Sequence, residues 1–461
     1  VNYFVWTIGC QMNVADSRRL SSALEIAGCS PASTVEQADV IVLNTCVVRQ
    51  SAEDRVYGRL GSLRPIKRAR PDVVIALMGC LVGLGESAPL RKRFPWVDVF
   101  LPPSEIGPLL DLLSERGLAD EARTMAAVAA THRSAVDEGE WLLPADDRGR
   151  LVSAYVPVVL GCSHACTYCV IPYRRGRERS RPPSEIVAEA RALAAQGVRE
   201  VTLLGQIVDR YGYDLRPRAQ SEAGASSGSP LVAVLEAVHE VERLQRIRFL
   251  TSHPNWLADD LLVVVAGLRK VCEHIEVPIQ SGDNEVLSRM RRGYSVDDYR
   301  ALVGRIRAAI PGVSIATDII VGFPGETEAQ FENTYDLLAE LRLDKAHIAR
   351  YSPRPQTLAA RRYADDVPRA EKERRRKRLD DLQARIVAEI NGRLGGTVVQ
   401  VLVEGQKKGR WWGRTRTDRL VFFDSEDEWL GRVAPILITW TGPWSLIGEP
   451  QARAQAPRPG V

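Results

Sequence analysis

The sequence predicts an α/β chain in three parts: an N-terminal parallel α/β sheet domain, a central partial (β/α)6 barrel and a C-terminal small antiparallel β-barrel. Three observations predict it. Apolar strands alternate with helical patterns in the first region, and do so more often in the second. After about residue 395 the pattern changes to short alternating runs separated by glycine. The length of 461 residues suits about three domains. With 45% hydrophobic and 26% charged residues, a disordered, collagenous or fibrous chain is excluded. The net charge of +4 neither demands nor excludes a nucleic-acid partner.

In the first domain, residues 1–116, apolar strands fall at 3–9, 39–45 and 73–79, with helical patterns at 17–27 and 51–60. Residues 117–150 are charged and Ala-rich and read as a connector. The core, residues 151–386, has strand candidates at 155–160, 200–204, 246–251, 274–278, 314–321 and 345–350. Amphipathic helices lie between them, as at 184–195, 231–241 and 328–341. Such a barrel places its chemistry at the strand C-termini. Residues 216–230, rich in Ser, Gly and Ala, suit a mobile surface insertion. A charged helix over 371–390 carries the run Arg374–Arg378, whose flanking acids suit a solvated face. Residues 387–450 form the small barrel, with runs at 398–403, 419–423 and 432–440, and 451–461 a frayed tail.

No apolar run approaches the roughly 18–20 residues of a membrane span. The first residues lack a basic n-region, so no export and no membrane contact are expected, and the compartment is cytoplasmic and reducing. Eight cysteines are too sparse for a disulfide scaffold, and clustered ones there suit metal. Cys162, Cys166 and Cys169 form Cys-x-x-x-Cys-x-x-Cys directly after an apolar strand. Three thiolates on one tight loop can bind three irons of a 4Fe–4S cubane, leaving the fourth open to substrate or cofactor. Zinc is the alternative, but a closed zinc site wants a fourth ligand, and His164 inside the loop is awkwardly placed to be one. Cys10, Cys46 and Cys80 each end an apolar strand, about one strand–helix–strand repeat apart. Strand C-termini gather along one edge of an open parallel sheet, so these thiols can converge as a second metal site. Cys29 and Cys272, and the histidines other than His164 and His253, suit packing roles.

The Cys162–Cys169 spacing, with Tyr168 before the last Cys, resembles the radical S-adenosylmethionine superfamily. The segments GCQMNVADS, NTCVVRQSAEDRV, RGRERSRP, LLGQIVDRYG, TSHP, VPIQSGD and DIIVGFPGET resemble its methylthiotransferase family, over about residues 2–448. Within that family, Cys10-Gln11-Met12-Asn13 is most similar to the subgroup acting on isopentenyladenosine in tRNA. The resemblance implies two 4Fe–4S clusters and S-adenosylmethionine. One cofactor molecule would donate a methyl group to sulfur on the auxiliary cluster at Cys10, Cys46 and Cys80. A second would be cleaved at the other cluster to a radical that abstracts hydrogen from carbon 2 of the adenosine at position 37. Alternatives are a ribosomal protein side chain or threonylcarbamoyladenosine as substrate, or a non-enzymatic iron–sulfur RNA-binding or redox-sensing module.

Tyr168 in the cysteine loop and, at strand ends, Gly205, Gln206, Ser252, Gln280, Ser281, Gly282 and Asp318 would cradle the cofactor. His253, also at a strand end, would line the substrate site. In the small barrel, whose position matches a TRAM domain, Arg410, Arg414 and Arg416 would meet RNA phosphates and Trp411 would stack on a base. Alternation along that strand suggests that either Trp411 or Trp412 faces the barrel core. Implied partners are a tRNA anticodon stem-loop, a low-potential electron donor and iron–sulfur or sulfur delivery proteins, with the chain acting as a monomer. Two departures from the family pattern are Ile207-Val208-Asp209 after Gly-Gln, and Gln356 in place of Gly.

Overall fold

The computed structural model describes residues 1–47, 50–85, 87–132, 142–215 and 228–451. The first sheet contains β1 (Asn2–Thr7), β2 (Ser30–Pro31), β3 (Val40–Thr45), β4 (Val74–Gly79) and β5 (Val99–Leu101). Its order is β2-β1-β3-β4-β5 and every pair is parallel. Strands β3 and β4 are buried along their whole length, as both-sided coverage requires, so they read as unbroken apolar runs. Helix Gln11–Ile26 places Leu20 and Leu24 on one face of the sheet. Helix Gln50–Ala69 places Val56, Leu60 and Leu63 on the other. Sequence periodicity does not reveal β2 or β5, whose two and three residues are too few to show a pattern. Residues 117–150 are more than a connector: helix Glu121–His132 packs Ala127 into the first core. Residues 133–141 of that segment, most of the insertion at 216–230 and most of the tail lie outside the described residues.

The central region contains β6 (Ser153–Pro157), β7 (Val159–Leu160), β8 (Arg179–Ser180), β9 (Glu200–Leu204), β10 (Arg246–Leu250), β11 (His274–Glu276), β12 (Ser314–Val321) and β13 (Lys345–Arg350). Strands β6, β9 and β10 form one parallel sheet, and β11, β12 and β13 another. A parallel bridge from Ile247 to Val271 and backbone bonds from Cys272 to Ile247 and Ser252 to Glu276 join β10 to β11. The result is one open arc of parallel strands in chain order, as the alternation predicts. Helix Gln11–Ile26 lies against β6, an Arg19–Glu189 ion pair fastens the first domain to the core, and an Arg18–Asp147 pair fastens it to the segment before the core.

The C-terminal barrel consists of β14 (Val398–Lys407), β15 (Arg410–Arg414), β16 (Leu420–Phe423), β17 (Val433–Thr441) and β18 (Leu446–Pro450), closed in the order β14-β15-β16-β18-β17. It is not purely antiparallel, because β16 and β18 run parallel. An odd number of strands cannot alternate direction around a closed ring. Loop residues 415–419 plug the strand N-terminal end of the arc. Arg246 donates to the Arg414 carbonyl, and Arg248 to those of Thr415 and Arg416, at 2.6–2.9 Å. Arg248 also pairs with Glu200 at 3.0 Å, both side chains being buried. Arg419 pairs with Asp344 at 2.7 Å. This closure leaves the strand C-terminal end for chemistry. Among the described residues, no helix is long and apolar enough to cross a membrane.

Arg248→Met strands Glu200 and two carbonyls without their donor. We expect a loss of about 3–5 kcal/mol in denaturant unfolding, as for a broken buried pair. Arg300→Ala, which breaks exposed pairs with Asp297 and Glu340, should cost under about 1 kcal/mol. Equal losses would contradict the plug.

Candidate metal centres

Strands β1, β3 and β4 are neighbours, with Thr7 beside Asn44 and Thr45 beside Gly79. Cys46 and Cys80 are the next residues after that last pair, and Cys10 caps helix Gln11–Ile26 just beyond β1. Polar bonds knit these strand ends together. Asn13 donates to Asn44 Oδ1 and to the Thr45 carbonyl at 2.8 and 3.0 Å. Asn44 donates back to the Asn13 carbonyl and to Ser17 Oγ, and the Cys80 amide donates to the Thr45 carbonyl at 2.9 Å. Gly79 has φ +100°, and a Cβ there would lie 2.5 Å from the Thr45 carbonyl oxygen, so only glycine fits. Burial pushes the Cys80 thiol up to about 11. Arg175 opposes that shift, while the nearby Cys46 and Cys10 add to it.

The second set lies on the loop between β7 and helix Ile171–Arg175. Gly161, φ +72°, starts it where a Cβ would lie 2.2 Å from the Arg177 carbonyl oxygen. The Cys162 amide donates to the Gly176 carbonyl, and Thr167 donates to the Met290 and Arg289 carbonyls. Arg292, 4% exposed, donates to Cys166 Sγ at 3.2 Å. A cavity of about 640 Å³ is lined by Cys162, Cys166, Cys169, His164, Arg210 and Arg291. Burial raises Cys162 to about 11 and Cys169 to about 12. Such thiols stay protonated until a cation displaces the proton, so metal loading releases protons. Among the described residues, no three His, Cys, Asp or Glu side chains gather as ligands of a single ion would. A cubane asks for less convergence, since each thiolate binds its own iron.

The surroundings suit a polar cofactor. His164 Nε2, His253 Nε2 and Ser252 Oγ are buried without a hydrogen-bond partner. The two imidazoles stand 4.6 Å apart, and each packs on Trp256. Burial first, then Arg292, lowers both imidazole pKa values, His164 to about 4. They are neutral at pH 7. Thr251 and Gln280 hold positive φ values of 71° and 79° at strand C-termini. That conformation is costly for a β-branched residue and is typical of functional sites.

The sequence-based assignments fare unequally. Gln206 is half-buried beyond β9, and Asp318 on β12 faces Glu276 closely enough to raise its pKa to about 7 after burial. Gly205 makes a tight turn, where a Cβ would lie 2.9 Å from Val208 Cα. Tyr168 packs against a cluster of Val286, Met290, Phe323, Tyr351 and Ala359. Ser281 and Gly282 both bond Thr334, and a Cβ on Gly282 would lie 2.5 Å from Thr334 Cα. In the small barrel, Trp411 is 4% exposed and belongs to the core, donating to the Ser425 carbonyl, so it is no stacking platform. Arg414 pairs with Glu404 and Arg416 with Glu273, each at 2.6 Å, so both are committed to protein carboxylates. Arg410 pairs with Asp424 on the exposed surface. The four arginines of the 374–378 run are likewise ion-paired, with Glu371, Glu373, Asp380, Glu326, Glu328 and Glu332 as partners. Gln356 has φ +75°, which explains why glycine is the easier residue there. Sequence reasoning missed Arg175, Arg292 and Trp256. Asp209 was noted only as a departure from the family pattern, yet it is buried and accepts from the His253 amide at 3.0 Å.

Taken together, the partial barrel, the three-cysteine loop at its mouth and the parallel sheet with its own three cysteines define an iron–sulfur radical enzyme class. Residues 156–338 match the model of the Radical SAM superfamily, 2–102 that of the Uncharacterized protein family UPF0004, and 392–450 that of the TRAM domain. The chain is 46% identical over 449 residues to the tRNA-2-methylthio-N(6)-dimethylallyladenosine synthase of Roseiflexus sp. (strain RS-1), covering 97% of this chain and 89% of that one. It is 47% identical over 454 residues to the protein of the same name from Chloroflexus aurantiacus, covering 97% and 91%. Among solved structures, the radical S-adenosylmethionine methyltransferase TsrM from Kitasatospora setae, with cobalamin and a [4Fe-4S] cluster bound, matches in fold with TM-score 0.54 at 14% identity, covering 89% of this chain and 80% of that one. The chain belongs to the family of tRNA-2-methylthio-N(6)-dimethylallyladenosine synthases.

Burial raises the Asp209 carboxyl to about 8, although the His253 amide bond opposes it. The folded pKa lies above the unfolded value of about 3.9, so the stability from this proton is complete at low pH and lost as pH rises towards 8. Asp209→Asn stays neutral and escapes that loss. Its urea midpoint should therefore gain on wild type between about pH 5 and about pH 8. A pH-independent difference would contradict the buried, protonated carboxyl.

Proposed function

We propose that the chain converts N6-isopentenyladenosine at position 37 of tRNA to its 2-methylthio derivative. The observation that carries this reading is that two sets of three thiols lie on either side of one domain boundary, with Arg175 from one loop bonded to Cys80 of the other. Cys162, Cys166 and Cys169 would hold one 4Fe–4S cluster, and Cys10, Cys46 and Cys80 the auxiliary one. When bound, the clusters and S-adenosylmethionine supply the radical, the sulfur and the methyl group that an unactivated aromatic C–H bond demands.

The chain's own residues do the positioning. Ser252, His253 and His164 offer unpartnered polar atoms beside the cluster loop. Gln206 follows β9, and Asp318 lies within β12. The neutral imidazoles pack on Trp256 and add no charge there. The RNA partner is an anticodon stem-loop whose adenosine is splayed out of the loop to enter. Arg410 is the residue of its strand placed to meet phosphate, once it exchanges the exposed Asp424 carboxylate. One chain carries both thiol sets, so a monomer suffices. A low-potential electron donor and sulfur or iron–sulfur delivery proteins would serve it in the reducing cytoplasm.

The test uses anaerobically reconstituted full-length protein, tRNA carrying isopentenyladenosine, and mass spectrometry of nucleosides and cofactor products. Replacing Cys162, Cys166 and Cys169 by Ala should halve the iron and abolish 5′-deoxyadenosine. Replacing Cys10, Cys46 and Cys80 should also halve the iron, but leave 5′-deoxyadenosine while removing the methylthio nucleoside. A folded first triple variant that keeps all its iron would sink the ligand assignment. Loss of both products in the second variant, with its remaining cluster bound, would contradict the division of labour.

A further inference from the structure

Arg175 links the two thiol sites. It ends the short helix Ile171–Arg175, which begins just after Cys169. Its guanidinium leaves the core and enters the first domain. Nε donates to Cys80 Sγ at 3.3 Å, and Nη2 pairs with Asp16 at 3.2 Å. Asp16 lies on the helix that Cys10 caps, and also accepts from Ser104 Oγ at 2.7 Å. The Arg175 and Asp16 side chains are 3% and 0% exposed, so water screens neither charge. The loops around them fit closely. A Cβ on Gly83 would lie 2.9 Å from Arg174 Cδ, and one on Gly176 would lie 2.7 Å from Leu84 Cδ1. The guanidinium fork bonds sulfur and carboxylate at once, which a lysine cannot do with the same geometry.

We propose that Arg175 is a positioning residue that ties the auxiliary cluster to the radical site and sets the auxiliary cluster's reduction potential. The proposal rests on the reading that Cys10, Cys46 and Cys80 hold that cluster. One-electron reduction adds one negative charge to it. A buried cation hydrogen-bonded to a ligand sulfur stabilises that charge and makes the potential less negative. Asp16, buried beside Cys80 on the same Nε–Nη2 edge of the guanidinium, acts in the opposite sense. A contact that merely glued the domains together would give no such opposition of sign.

The experiment uses the full chain with Cys162, Cys166 and Cys169 replaced by Ala, reconstituted anaerobically so that one cluster remains. Its midpoint potential is read by EPR-monitored redox titration. Adding Arg175→Gln should move the midpoint to a more negative value, and Arg175→Lys should move it less. Adding Asp16→Asn should move it to a less negative value. Unchanged midpoints, or shifts of one sign for Arg175→Gln and Asp16→Asn, overturn the proposal. If Arg175→Gln protein binds no cluster, Asp16→Asn decides alone: a less negative midpoint supports the role, and any other result overturns it. A parent protein without iron overturns the cluster reading itself, and the proposal with it.

Discussion

The in-register parallel pairing of β1, β3 and β4 is the constraint on which the candidate site depends. Parallel strands end on the same side, so three cysteines far apart in sequence reach one edge. A slip of one residue would turn the side chains to the opposite face and separate Cys46 from Cys80. Registration is secured on both scales. The two faces of β3 and β4 are buried under helices, and Asn13 and Asn44 cross-link the strand ends. Each of those amides is buried and satisfied, so replacing one would leave its partner without a bond.

The second dependency is the direction in which each domain closes the central arc. The small barrel plugs the strand N-terminal end through Arg246, Arg248 and the carbonyls of residues 414–416. The first domain covers β6 through helix Gln11–Ile26. The strand C-terminal end then holds the cluster loop, the unpartnered imidazoles and the strained Thr251 and Gln280. Stabilising groups occupy one end of the arc, and reactive or strained ones the other, as parallel barrels generally arrange them.

The three-part architecture was legible because its signals are local: apolar strands, helical periods and the change to short runs after residue 395. The cysteine pattern was legible because strand ends can be read from sequence, and parallel sheets align such ends. Less was legible where function depends on which partner a side chain meets. Arg414 and Arg416 share a strand with an exposed Arg410, but tertiary packing gives them Glu404 and Glu273. Ser281 and Gly282 follow a barrel strand, yet helix Glu328–Leu341 comes close enough to claim them through Thr334. Arg175 opens the RGRERSRP segment, but nothing local to it says what its guanidinium meets. Its role becomes visible only when the helix after Cys169 is seen against Cys80.

The central claim is that both thiol sites act on one carbon of one adenosine. The most direct measurement uses tRNA whose isopentenyladenosine carries deuterium at carbon 2, followed by mass spectrometry of 5′-deoxyadenosine and the nucleoside product. The account predicts deuterium in 5′-deoxyadenosine, and its absence from the methylthio nucleoside formed in the same reaction. A methylthio product accompanied by unlabelled 5′-deoxyadenosine would contradict it.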